Sequence, residues 1–370
     1  MSVPRLSPDS SSVNVSNSVL RYFGVPQPHR SFAPLDKILD ANGGKKICMF
    51  LFDGFGKYIQ NAKKALCPFV WDHRRFDIET VYPPTTVAAT TALLSGLYPI
   101  ETGWLGWTQY FKRSGIYVNM FSGFIEGSQT PSAVKPAEVL RYVPITAMID
   151  ARKGRKASEG VMGFDCLGTH GEVSSGEFFN RVENAIRNPD IDFTYAYWPQ
   201  PDHSLHEGGL HFRDTDKAIQ TIDESLALIC KRNPDVVFLF IADHGHVPVK
   251  WLDIRNYPDL LGSLYEPRFS IEPRFATFFV KPDSHRAFED AFQAHFAKDF
   301  ELYTKAQIYG ENIFGYGQPH PLADEFIGDY TMLATGNKAL FDGFNASDMV
   351  STHAGATKKE RIVELGIANA

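Results

Sequence analysis

The sequence predicts an α/β fold, a doubly wound and mostly parallel sheet flanked by helices. Three observations carry this. Apolar runs at 45–52 (KKICMFLF), 192–198 (DFTYAYW) and 235–242 (DVVFLFIA) are nearly continuous, as expected of parallel strands covered on both faces. Between them lies a stretch, 214–231, with Ala218, Ile219, Ile222, Leu226 and Ile229 at helical spacing. Strands alternating with such helices define the class.

Taken in order, residues 1–12 are rich in serine and proline and are expected to form a disordered tail. Residues 13–370 are then expected to form a single domain. Val19, Leu20 and Phe23 give 16–23 a short amphipathic helix, and the first strand ends at Asp53-Gly54-Phe55-Gly56. A second strand, 76–82, runs into Pro83-Pro84, which disfavours helix immediately upstream. The helix 86–94 begins there, with Thr85 or Thr86 as cap and Gly96 and Pro99 as its close. Residues 103–145 have weak periodicity and many aromatics, and are expected to form a cap-like insertion over the sheet edge. Further elements are a helix at 178–186, strands at 275–280 and 330–334, and a helix at 287–296.

Composition narrows the function. The chain has 370 residues and a formal net charge of -6, so no basic surface points to a nucleic-acid polymer or an anionic membrane. An anionic substrate would need a local positive centre. Four cysteines (Cys48, Cys67, Cys166, Cys230) show no C-x-x-C spacing, and the start MSVPRLSPDSSS has no signal-peptide pattern. The expectation is a cytoplasmic protein, with the sequons at Asn14 and Asn345 read as chance.

Polar residues stand just past three of the strong strands. Asp53 follows the first, Asp202 and His206 follow DFTYAYW, and Asp243 and His244 follow DVVFLFIA. The carboxyl ends of parallel strands are where open α/β sheets bind ligands, so three segments deliver Asp and His to one edge. Asp202 and His206 share a face if that segment is helical. Ser351-Thr352-His353-Ala354-Gly355 could add His353. Such oxygen and nitrogen donors suit zinc, and also manganese or iron. His170, His211, His285 and His320 have no comparable setting.

In order, FLFDGFG, VYPPTTVAATTALLSGLYPIETGWLGW, PDHSLHEGG, IADHGH and STHAGATKKE resemble the metal site of the alkaline phosphatase superfamily, in its nucleotide pyrophosphatase/phosphodiesterase branch. The resemblance implies a metal-dependent phosphodiester or pyrophosphate hydrolase acting on a small phosphorylated substrate, such as a nucleotide. It implies two divalent ions, zinc foremost: one held by Asp202, His206 and His353, the other by Asp53, Asp243, His244 and Thr86. It implies Thr86 as nucleophile, because in that branch the nucleophile stands ten residues before the glycine that is Gly96 here. A threonine hydroxyl needs metal coordination to attack, and the first turn of a helix favours a bound phosphate.

The match departs at Trp107, where the branch has a phosphoryl-binding asparagine. Lys57, Lys112, Asn119 or a backbone N–H are alternative donors, and Trp104, Trp107, Tyr110 and Phe111 either wall the substrate or pack as core. His246 either supports the metal site, contacts phosphate, or bonds a nearby loop. A phosphomonoesterase or phosphonate hydrolase on the same site is the alternative. Thr86 argues against a sulfatase, and the intact ligand set argues against a non-catalytic binding protein.

Overall fold

A computed structural model describes residues 5–163, 173–344 and 348–370. Cys166, His170 and the sequon at Asn345 lie outside them. Twelve strands form two sheets: β1 (Lys46–Phe52), β2 (Arg74–Glu79), β3 (Thr108–Phe111), β4 (Ile116–Asn119), β5 (Ser158–Met162), β6 (Phe193–Trp198), β7 (Val236–Ile241), β8 (Ser270–Glu272), β9 (Phe275–Phe278), β10 (Phe300–Thr304), β11 (Tyr330–Ala334) and β12 (Ile362–Ala368).

The first sheet has the order β2-β12-β7-β1-β6-β5. Strands β7, β1, β6 and β5 are parallel, and β12 runs against both β7 and β2. It is the α/β sheet the apolar runs predict, with one reversed strand. β1 and β7 are buried almost throughout, because helices Ser175–Arg187 and Arg213–Arg232 join the core around Phe50, Phe178, Phe193 and Phe238.

The second sheet, β10-β11-β9-β8-β3-β4, is antiparallel throughout. It corrects one expectation. The strands expected at 275–280 and 330–334 belong here and not to the parallel sheet. In the region 103–145, β3 and β4 form a hairpin that completes the second sheet, and Trp104, Phe111 and Val118 enter its core. Strands this short carry too few residues for a period-2 pattern to show.

The tail expectation also changes over 5–12. Leu6 is buried, the Ser7 N–H donates to Glu79 at 3.0 Å, and Ser11 bridges to Glu79. The serines act as turn and cap residues: the Ser11 N–H donates to Asn14 Oδ1 at 2.7 Å at the start of helix Ser12–Tyr22. Among the described residues no helix is long and apolar enough to cross a membrane.

A buried ion pair ties the second sheet to the short helix Lys358–Arg361. Arg274 Nε donates to Glu360 Oε1 at 2.7 Å and Nη2 to Oε2 at 2.8 Å, and both side chains are fully buried. Glu360 also accepts from the Gly355 N–H and the Thr357 hydroxyl. Arg274→Ala is expected to cost about 3–5 kcal/mol, since it leaves the Glu360 carboxylate buried without its cation. Urea unfolding checks this; a loss below about 1 kcal/mol would contradict it.

Candidate active site

Strand order explains how the site assembles. β1 lies between β7 and β6, all parallel, so the segments after their carboxyl ends meet. Asp53 follows β1 directly, Asp243 and His244 follow β7, and Asp202 opens helix Asp202–Gly208 after β6. The sharp turn after His244 requires Gly245, where a Cβ would stand 2.1 Å from the Lys359 carbonyl oxygen. His353 arrives from the C-terminal side, where Ser351–Thr352 pairs with Val247–Pro248.

Thr86 is the first residue of helix Thr86–Ser95, Thr85 is its N-cap, and Gly96 closes it in the left-handed conformation at φ 69°. Thr86 Oγ1 lies 3.2 Å from His244 Nε2 and 3.5 Å from Asp53 Oδ1. His244 Nε2 is 3.3 Å from Asp53 Oδ1 and 3.5 Å from Asp243 Oδ2. On the other side, Asp202 lies 3.3 Å from His206 Nε2, 2.5 Å from His246 Nε2 and 3.9 Å from His353 Nε2. The structure thus brings together Asp53, Thr86, Asp202, His206, Asp243, His244, His246 and His353.

Two sets of donor atoms lie close enough to share an ion: Asp53, Asp243 and His244, and Asp202, His244, His246 and His353. His246 stands inside the second set, where the sequence left its role open. His206 lies beside it, with Nδ1 2.9 Å from the Ser351 carbonyl oxygen, a contact that orients the ring.

Charge follows from burial. Burial, then Asp243 and Asp202, push the Asp53 carboxyl well above the carboxylate range, and Asp243 is raised too, mainly by burial. Burial and then His244 hold His353 well below the usual imidazole value. Burial acts against ionised Asp202, but His206 and His246 overcome it and lower its pKa. Asp243 Oδ2 and His353 Nδ1 are buried without a hydrogen-bond partner. Clustered carboxylates and imidazoles with orphaned lone pairs are a donor set that fits divalent cations.

A cavity of about 800 Å³ opens over these residues. Thr86, Asp53, Asp202 and His353 line it, and Trp107, Phe121, Trp251 and Phe269 contribute apolar wall. Trp107 is on that wall, and its backbone N–H donates to Glu272 Oε1 at 2.8 Å. Tyr110 and Phe111 are core residues, as is Trp104. Of the alternative donors, Asn119 lines the cavity. Lys57 is bound to Asp77 and Glu364, and Lys112 sits over Phe279.

Two groups escaped the sequence reading. The Tyr197 hydroxyl donates to Asp53 Oδ2 at 2.5 Å, and Glu272 accepts from the Thr85 hydroxyl at 2.6 Å. Tyr197 sits inside an apolar strand run, and Glu272 in a three-residue strand of another sheet, so no local pattern marks either one.

Threonine at a helix start, facing buried carboxylates and imidazoles at the carboxyl edge of an α/β sheet, is the architecture of the alkaline phosphatase superfamily. The pattern of the family described as type I phosphodiesterase / nucleotide pyrophosphatase matches residues 47–334. The chain belongs to that family and is a phosphoric ester hydrolase.

No curated protein sequence matches it. Among solved structures, murine ectonucleotide pyrophosphatase/phosphodiesterase 5 is similar at 15% identity, covering 87% of each chain with a TM-score of 0.63. That protein has also been solved as an inactive Thr→Ala variant in complex with AMP. Phosphonoacetate hydrolase from Sinorhizobium meliloti 1021, in complex with phosphonoformate, is similar at 15% identity with a TM-score of 0.64. The likeness covers 87% of this chain and 90% of that one. At such identities these matches speak for the fold.

Proposed function

We propose that the protein hydrolyses a phosphodiester or pyrophosphate bond in a small phosphorylated substrate, with a nucleotide as the favoured kind, through a phospho-threonine on Thr86. One observation carries this reading: the Thr86 hydroxyl, at the start of a helix, lies 3.2 Å from His244 in the cluster that also holds Asp53 and Asp243.

In the first step Thr86 Oγ bonds to phosphorus while the bond to the leaving oxygen breaks. In the second, water displaces Thr86 and releases the phosphate product. The N–H groups of the helix's first turn face a phosphoryl group bound there and favour its charge. Asp53, Asp243, His244 and Thr86 would hold one divalent ion, and Asp202, His206 and His353 the other, with zinc the proposed metal. Bound there, the ions would activate the nucleophile and neutralise charge developing on the phosphoryl and leaving oxygens. Tyr197 fixes the Asp53 carboxyl and the Gly54 N–H fixes Asp243 at 3.0 Å, so the ligands are held before substrate arrives.

A monoesterase would profit from a free cation beside Thr86. Arg268, on the cavity wall, is instead committed to Asp342 at 3.2 Å and stacked on Tyr117 and Phe344. Cys48, Cys67 and Cys230 are all free and buried, which supports a reducing compartment such as the cytoplasm.

The test is turnover of bis-p-nitrophenyl phosphate against p-nitrophenyl phosphate by the zinc-loaded protein, with Asp243→Asn as control. The diester is expected to turn over faster, and the control to lose at least 100-fold. A monoester preference would move the assignment to a phosphatase, and an active control would remove the site.

A further inference from the structure

Glu272 is a buried carboxyl on the cavity wall that the proposed reaction leaves without a role. Two features hold it in place. Ile271 before it adopts φ 83°, a left-handed conformation costly for a β-branched residue, and packs against Gly106. Arg274, two residues on, is locked to Glu360.

Its hydrogen bonds go to one oxygen. Oε1 accepts from the Thr85 hydroxyl at 2.6 Å and from the Trp107 backbone N–H at 2.8 Å, which sets the carboxyl on the cavity wall beside the start of the Thr86 helix. Adjacent threonines thus point to opposite partners: Thr85 to Glu272, Thr86 to His244 and Asp53. A phosphoryl group attacked by Thr86 would share the cavity with both the donor cluster and this carboxyl. His206 and Glu126 are the ionisable groups that act on Glu272 across the cavity, and burial pushes its pKa up to about 7.

We propose that Glu272 is the charge-selecting residue of the active cavity: it admits the single negative charge of a phosphodiester beside Thr86 and repels the second charge of a monoester. The inference rests on the phosphodiesterase reading above. A like charge several ångströms away in a partly buried site weakens binding of the extra charge by about tenfold or more.

The test measures binding, free of turnover, in zinc-loaded protein carrying Thr86→Ala at pH 8.5. Phenyl phosphate (dianion) and diphenyl phosphate (monoanion) are titrated with and without Glu272→Gln. The substitution is isosteric and keeps an oxygen to accept from Thr85 and Trp107. The expected result is a gain in phenyl phosphate affinity about tenfold larger than the gain in diphenyl phosphate affinity, because the carboxylate acts on two charges in the first and on one in the second. Thr85→Val, which removes the hydroxyl partner but keeps the charge, is expected to leave the ratio of affinities unchanged.

An equal shift of both ligands in Glu272→Gln would make the residue structural and overturn the proposal. A ratio shift in Thr85→Val as large as that in Glu272→Gln would do the same. If both ligands bind but the ratio stays fixed, the charge-selection proposal falls and the phosphodiesterase reading stands. If neither ligand binds, that reading falls and takes the proposal with it.

Discussion

Thr86→Ala is expected to lower diester hydrolysis by about 10⁴-fold or more while leaving the fold intact. The effect is large because the hydroxyl is the proposed attacking atom. Water on the same path would have to be bound, oriented and deprotonated without the covalent link that positions Thr86 Oγ1 within 3.5 Å of His244 and Asp53. The structural cost is small. Thr85, not Thr86, is the N-cap, so the helix start keeps its geometry. The hydrogen bond from the Thr90 hydroxyl goes to the Thr86 backbone carbonyl, which alanine retains. Steady-state kinetics with bis-p-nitrophenyl phosphate, beside a circular dichroism melt, separates the two effects. Residual activity within tenfold of wild type would mean that water attacks directly.

Chelation is expected to abolish activity, by at least about 100-fold, and to lower the melting temperature by roughly 5–10 °C, both reversed by zinc. The stability effect follows from the charge arrangement. Asp53, Asp202 and Asp243 are confined with His206, His244, His246 and His353 in one largely buried cluster. Without cations, Asp53 meets the cost of desolvation and then repulsion from Asp243 and Asp202, and Asp243 chiefly the cost of desolvation, which raises both pKa values. A cation that binds only the folded protein removes that cost and adds its own binding energy, about 4 kcal/mol at a thousandfold excess over its dissociation constant. Elemental analysis with thermal melts before and after chelation is the measurement. Unchanged melting in metal-free protein would show that the cluster is held by protons and hydrogen bonds alone.

Much of the site was legible because its residues sit where the chain stops being apolar. β1, β6 and β7 announce themselves as unbroken hydrophobic runs, and Asp53, Asp202 and Asp243 stand just beyond them. The helix start at Thr85-Thr86 was legible from Pro83-Pro84 before the helix and Gly96 after it, while the choice of Thr86 came from the family resemblance. β12 was not, because Glu364 and Gly366 interrupt its apolar run, while its pairing with β2 and β7 comes from residues far away in the chain. β5, at the sheet edge, has only Ser158 and Val161 buried, too few to leave a pattern.

The sequence by itself determined the parallel core, the start of the helix carrying Thr86 and the placement of Asp53, Asp202, Asp243 and His244 just beyond the core strands. Each of these is written in local hydrophobicity or in residue types that chemistry restricts. Only the tertiary structure decided that 103–145 completes a second sheet, that His246 stands among the donors, that Tyr197 braces Asp53 and that Glu272 faces the cavity. Those facts depend on contacts between segments tens to hundreds of residues apart. A side chain's partner across such a distance is set by how the sheets pack, and no local spacing encodes it.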